Sequence, residues 1–219
     1  MRTFVVIPAF NEEERIQATV TSVHDAGQYD VVVVDDGSTD ATASRVPSYA
    51  ALIRHSVNRG MGAALVTGTA FALAHGADCV VHFDADGQHR AEDIAGLLAP
   101  LRAGTVDIVL GSRYLRPDSV PKTKKYLIHK PAIVFQNLLT GVRLTDAHNG
   151  FRAMTRNAAE KISITQDRMA HNTEIIQEIR RNKLRYVEVP VRIVYREYGQ
   201  GLKAGVQILR DLIVKKLIR

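Results

Sequence analysis

With 219 residues, 46% hydrophobic and 24% charged, the chain has the length for one substantial α/β domain and falls short of two. Its single cysteine, Cys79, excludes a disulfide framework and a cysteine metal site, and no apolar run approaches the roughly 18–20 residues that span a bilayer. A formal charge of +6 predicts anionic partners: phosphorylated substrates, an acidic membrane surface or nucleic acid.

The chain enters a strand pattern at once, Phe4–Ile7, with no signal-peptide architecture, so a cytoplasmic location is expected. Glu12–Asp25 then reads as a helix, with Asn11 at its start and Glu12, Glu13 and Glu14 in the first turn, where the macrodipole favours acidic residues. Further strand-like runs are Val31–Val34, Ala51–Arg54, Cys79–Phe83 and Asp107–Leu110. Several are continuously apolar, as strands covered on both faces are. Helical stretches fall between them near Asp40–Val46, Gly60–His75 and Ala91–Leu101. The alternation predicts an α/β fold with a mostly parallel sheet and right-handed crossovers.

The second half is less regular. Pro117–Pro131 reads as a basic loop carrying Lys122, Lys124, Lys125 and Lys130. Val187–Tyr195 reads as extended, with Pro190 marking a break, edge or bulge. From Leu202 onward the pattern is helical, an apolar stripe bordered by basic residues. No repeat or linker divides the chain, so one domain is predicted, with a regular half at 1–115, a less regular stretch at 116–200 and an amphipathic helix at 201–219.

The unusual polar residues fall at strand ends, where ligands of parallel sheets bind. They are Pro8-Ala9-Phe10-Asn11-Glu12, Asp35-Asp36-Gly37-Ser38-Thr39-Asp40, Asn58-Arg59-Gly60-Met61-Gly62, Asp84-Ala85-Asp86-Gly87-Gln88-His89 and Gly111-Ser112-Arg113-Tyr114. Asp84 and Asp86, separated by the small Ala85, emerge on one side of an extended strand. Such a pair suits Mg²⁺ or Mn²⁺, whose remaining positions go to water and substrate phosphates. Five polar loops on one rim describe a site for a nucleoside diphosphate. A nucleic-acid module leaves them unexplained, and a dinucleotide dehydrogenase would show Gly-x-Gly-x-x-Gly where this chain has Pro8-Ala9-Phe10-Asn11.

In this order the five loops resemble the family 2 glycosyltransferases of GT-A fold. Asp146-Ala147-His148-Asn149-Gly150-Phe151-Arg152-Ala153 extends the likeness towards their polyprenyl-phosphate branch, typified by dolichyl-phosphate mannose synthase. The resemblance implies that Pro8, Phe10 and Glu12 line a nucleoside pocket and that Asp36 holds base or ribose. Asp35 either joins it or ties down the turn at Gly37, and Gly60 and Gly62 allow close backbone approach. It implies that Asp84 and Asp86, supported by Gln88, carry a Mg²⁺ or Mn²⁺ bridge to the diphosphate of a UDP-, GDP- or dTDP-sugar. His89 is expected at the surface. Arg113 is a second positive group for the diphosphate or donor sugar.

On the acceptor side the resemblance implies roles for Asp146 and Arg152. His148-Asn149 stands where Thr-Ser is usual, so sugar preference does not carry over. Glu174 resembles the base of hydroxyl-glycosylating relatives. A lipid monophosphate, already anionic near neutral pH, needs no base. Arg196 and Lys203 resemble phosphate ligands, with Gly201-Leu202 where Ser-Lys is usual. The C-terminal helix either packs on the sheet or lies against anionic lipid, and a membrane-protein partner is the other route to a membrane. The expectation is an inverting, metal-dependent glycosyltransferase acting on a polyprenyl phosphate. Its rival transfers to a glycan hydroxyl with Glu174 as base.

Overall fold

The computed structural model describes residues 1–116, 133–134, 137–138, 140–146, 149–167 and 170–194. Seven strands form one sheet: β1 (Thr3–Ala9), β2 (Asp30–Asp35), β3 (Ala51–Arg54), β4 (Cys79–His82), β5 (Ile108–Ser112), β6 (Arg152–Thr155) and β7 (Tyr186–Pro190). Their order is β3-β2-β1-β4-β6-β5-β7, with every pairing parallel except those of β6. Helices that flank it include α1 (Ile16–Ala26), α2 (Met61–Ala74), α3 (Ile94–Arg102), α4 (Arg156–Lys161) and α5 (His171–Arg181).

The apolar strands divide their side chains between two cores. Val5, Ile7, Val31, Val33 and Val81 pack with Ile16, Val20, Ile94 and Leu97 of α1 and α3. Phe4, Val6, Val32 and Val80 pack with Leu65 and Ala72 of α2 and with Ala158, Ile175 and Ile179 of α4 and α5. Burial on both faces explains the unbroken hydrophobic runs of β1, β2 and β4. Cys79 is buried and unpaired, and its thiol is pushed up to about 12 by burial.

Three sequence expectations change, and one strand was not foreseen. The stretch Asp40–Val46 holds only a 3₁₀ turn at Ala43–Arg45. The Asp40 carboxylate accepts from the Thr42 amide at 2.9 Å, a local bond that competes with helix, and Pro47 follows. Asn11 does not start α1, which begins at Ile16. Asn11 sits at φ 54° and accepts from the Thr39 amide, tying the first loop to the second. The carboxylates of Asp84 and Asp86 follow β4 in a turn, rather than extending it. Finally, β6 runs antiparallel between β4 and β5, pairing Arg152 with both His82 and Leu110. Four residues led by a buried arginine carry no alternation by which to read it as a strand. Pro190 closes β7, which among the described residues is an edge strand paired with β5 alone.

The order 3-2-1-4 reverses direction between β1 and β4, and the carboxyl ends at such a switch point are where sheets of this kind bind ligands. The loops after β1 and β4, carrying Phe10 and Asp84–Asp86, flank that point.

Candidate functional site

The nucleotide side is a set of interlocked loops. Pro8 lies buried within β1, and Phe10 just beyond it is 44% exposed, an aromatic face open at the rim. Glu12 pairs with Arg15 at 2.9 Å, and its amide donates to Thr42 Oγ1. Asp35, fully buried, accepts from the Ser38 amide at 3.0 Å and pairs with Arg54. It thus holds the turn at Gly37. Asp36 accepts from the Arg59 amide at 3.0 Å, the Gly60 amide at 2.6 Å and His55 Nδ1 at 2.6 Å. Three partners occupy most of a carboxylate's capacity, so Asp36 acts chiefly on the loop before α2. The Gly60 amide, already given to Asp36, is not free for a phosphate. His55, whose Nε2 reaches Thr67 at 2.9 Å, locks Asp36 to α2 and was not foreseen from the sequence.

Asp84 and Asp86 lie just beyond the end of β4, at the switch point of the sheet. Asp86 Oδ1 accepts from the Gln88 amide at 2.9 Å, forming a tight turn. Burial and the charge of Asp84 raise the Asp86 pKa above the usual carboxylate value. For Asp84, burial acts upward, but His89, Arg152 and His171 outweigh it and hold the pKa below the usual value. Ala85 is buried, its carbonyl accepting from Thr19 Oγ1 of α1. Gly150 lies against Asp84: a Cβ there would sit 2.8 Å from Oδ2, so only glycine permits this approach. Among the described residues no group of three or more His, Cys, Asp or Glu could hold a metal ion. Two neighbouring carboxylates, with the charge of Asp84 raising the Asp86 pKa, still fit a hard divalent cation that takes its other ligands from water and phosphate. Gln88 is half-buried beside them.

His89 is buried, which corrects the expected surface position. Its Nε2 lies 3.0 Å from Asp84 Oδ2.

Arg113 is held by Asp146 in a bidentate pair, both contacts 2.7 Å, and its amide donates to the same carboxylate. The Asp146 side chain is only 1% exposed, so it orients Arg113 from beneath. Glu188 of β7 accepts from the Thr145 and Asp146 amides and so holds this loop; burial raises its pKa. It too was missed, because a single carboxylate in an extended run carries no motif.

Arg152 is 2% exposed, donating to the Gly150 carbonyl and to Asn172 Oδ1 of α5. Among the described residues no carboxylate forms an ion pair with it, and burial lowers its pKa to about 10. It lines a small pocket with Asp146, Asn149, Asn172, Leu144 and Ile176. The Asn149 Nδ2 is buried without a partner among the described residues. A desolvated guanidinium with no carboxylate of the described residues in direct contact, the charge of Asp84 acting on it from further off, attracts an anion.

Glu174 is turned inward. It is 8% exposed and accepts from the Thr165 amide at 2.7 Å, Thr165 Oγ1 at 2.6 Å and the Gln166 amide at 2.8 Å. The strap it secures reaches α2, where Asp167 O accepts from the Gly62 amide at 2.8 Å. A Cβ on Gly62 would lie 2.0 Å from Gln166 O, which explains the glycine. Arg196, Lys203, the basic loop, His148 and the C-terminal helix lie outside the described residues.

The sequence profile described as Glycosyl transferase family 2 matches residues 4–163. The chain belongs to glycosyl transferase family 2. The family 2 glycosyltransferase is 31% identical to UDP-N-acetylglucosamine--dolichyl-phosphate N-acetylglucosaminyltransferase of Methanococcus voltae, over 98% of this chain and 96% of that one. It is 33% identical to polyprenol monophosphomannose synthase of Mycolicibacterium smegmatis, over 94% and 83%. Its fold matches glucosyl-3-phosphoglycerate synthase from Mycobacterium tuberculosis, crystallised with Mn²⁺ and UDP. The TM-score is 0.74 at 20% identity, covering 99% of this chain and 78% of that one. The α/β reading with a mostly parallel sheet stands, and the fold is that of the GT-A glycosyltransferases. Among the described residues no helix is long and apolar enough to cross a membrane.

Proposed function

We propose that this glycosyltransferase moves a sugar from a nucleotide-sugar to a polyprenyl phosphate, with inversion at the anomeric carbon, at the cytoplasmic face of a membrane. The observation that carries the acceptor assignment is Glu174. The residue that resembles a catalytic base has its carboxylate committed to three hydrogen bonds within the fold. A sugar hydroxyl needs a base, whereas a phosphate monoester, with a second pKa of about 6, arrives as its own nucleophile. The full-length likeness to enzymes named for dolichyl-phosphate and polyprenol-phosphate products supports the same acceptor.

In this reading an oxygen of the acceptor phosphate forms a bond to the anomeric carbon as the bond from that carbon to the diphosphate breaks. The nucleoside diphosphate leaves with the bonding electrons. Phe10, Pro8 and Glu12 line the nucleoside end, and the loops fixed by Asp35 and Asp36 shape it. Asp84 and Asp86, with Gln88 beside them, would hold Mg²⁺ or Mn²⁺, and that cation would supply charge neutralisation for the departing diphosphate. Arg113, aimed by Asp146, meets the diphosphate or donor sugar. Arg152 supplies positive potential for the acceptor phosphate, with Arg196 and Lys203 as further phosphate ligands. The basic loop and C-terminal helix, or a small membrane-protein partner, bring the site to lipid.

A panel of UDP-, GDP- and dTDP-sugars assayed with a short polyprenyl phosphate, with and without Mn²⁺, tests this. One donor should give a lipid-linked product of inverted anomeric configuration. Retention of configuration, or no product with any donor, would overturn the proposal.

A further inference from the structure

We propose that His89 is a positioning residue that fixes the rotation of the Asp84 carboxylate, so that one oxygen is held by the protein and the other is left for the cation. The inference rests on the reading of Asp84 and Asp86 as metal ligands. Its first ground is the tautomer. Nε2 lies 3.0 Å from Asp84 Oδ2, while Nδ1 is buried with no partner among the described residues. An unprotonated Nε2 would set two lone pairs against each other, so Nε2 carries the hydrogen and donates it.

The second ground is rigidity. The imidazole is 4% exposed and packs between Phe83, at 5.6 Å between ring centroids, and Phe151, at 4.9 Å. The His89 backbone bridges to Ile193, and the Val194 amide donates to the Gln88 carbonyl at 2.9 Å. Ring and backbone are both pinned, and the donor cannot swing away from Asp84.

The third ground is what remains of Asp84. Gly150 crowds the carboxylate closely enough to exclude a side chain, while His89 takes Oδ2. Oδ1 accepts no hydrogen bond from the described residues. The carboxylate therefore presents a single oxygen in a fixed direction. Partners behind metal ligands of this kind change metal affinity about 10–100-fold when removed.

Two variants separate donation from packing. H89F keeps an aromatic ring and loses the N–H; H89Q loses the ring and carries an amide N–H near the position of Nε2. Mn²⁺ affinity is measured by electron paramagnetic resonance on each, with and without UDP or GDP, beside metal-free nucleotide binding by calorimetry. H89F should bind Mn²⁺ about 10–100-fold more weakly and H89Q close to wild type, with metal-free nucleotide binding unchanged in both. Wild-type affinity in H89F overturns the inference, and so does an H89Q as weak as H89F. Should one variant fail to fold, the other still decides by the same criterion. A wild type that binds no Mn²⁺ with either nucleotide overturns the metal reading, and this inference with it.

Discussion

Replacing Glu174 separates a strap-holding role from a catalytic one. The carboxylate is buried and accepts three hydrogen bonds, two of them from backbone amides of Thr165 and Gln166. In Glu174→Ala those amides lose their partner. Hydrogen bonds to a charged group contribute roughly 1.5–3 kcal/mol each, but three on one carboxylate are not additive, so a loss of about 2–4 kcal/mol is the reasoned magnitude. For a domain of this size about 1 kcal/mol moves Tm by about 2–4 °C, giving a fall of about 4–16 °C. Glu174→Gln keeps one acceptor oxygen but turns an amide NH₂ towards donors, and should lose a smaller part of the same stability. Because the strap touches α2 through Gly62, donor KM should rise in both variants, while the pH profile of kcat keeps its shape. Calorimetric melting and steady-state kinetics across pH measure these outcomes. General-base loss instead costs about 10²–10⁴ in kcat. A Glu174→Gln protein that melts like wild type yet loses that much turnover would refute the strap assignment.

Gly62→Ala would place a Cβ 2.0 Å from Gln166 O, so it should displace the strap, with a stability loss of about 1–3 kcal/mol by chemical denaturation and a raised donor KM. Asp86 titrates above the usual carboxylate value because burial and Asp84 disfavour its charge, so its contribution to stability is present at acid pH and lost as pH rises through the raised pKa. Asp86→Asn should therefore raise the neutral-pH Tm of the metal-free protein and abolish the further rise given by Mn²⁺. Asp146→Asn removes the charge that holds Arg113 and should lower kcat/KM more than it lowers Tm, measured side by side. Cys79, with a thiol pushed up to about 12, should stay inert to a thiol reagent at neutral pH until the protein unfolds.

The donor half was readable because its signals are local. Apolar runs gave β1 to β5, and polar clusters at their ends gave the rim, since both follow from short-range periodicity and the ligand rule for parallel sheets. The acceptor half depends on pairings far apart in sequence. Nothing near Arg152 announces that it heads a strand between His82 and Leu110, and nothing near Glu174 announces that its partners lie eight and nine residues back. His89 looked like a surface residue because a histidine after a turn is usually solvated; Phe151, sixty-two positions on, is what covers it. The same limit hid His55 and Glu188, each acting on backbone amides or a carboxylate brought near only by the fold.

The central claim is that the acceptor supplies its own nucleophilic charge. The direct measurement offers the enzyme a short polyprenyl phosphate and the matching polyprenol, with the competent donor, in Mn²⁺ and in chelator. The account predicts sugar transfer to the phosphate alone, dependent on the metal, with substantial turnover retained in Glu174→Gln. Transfer to the free alcohol or to a glycan hydroxyl, abolished in Glu174→Gln, would contradict it.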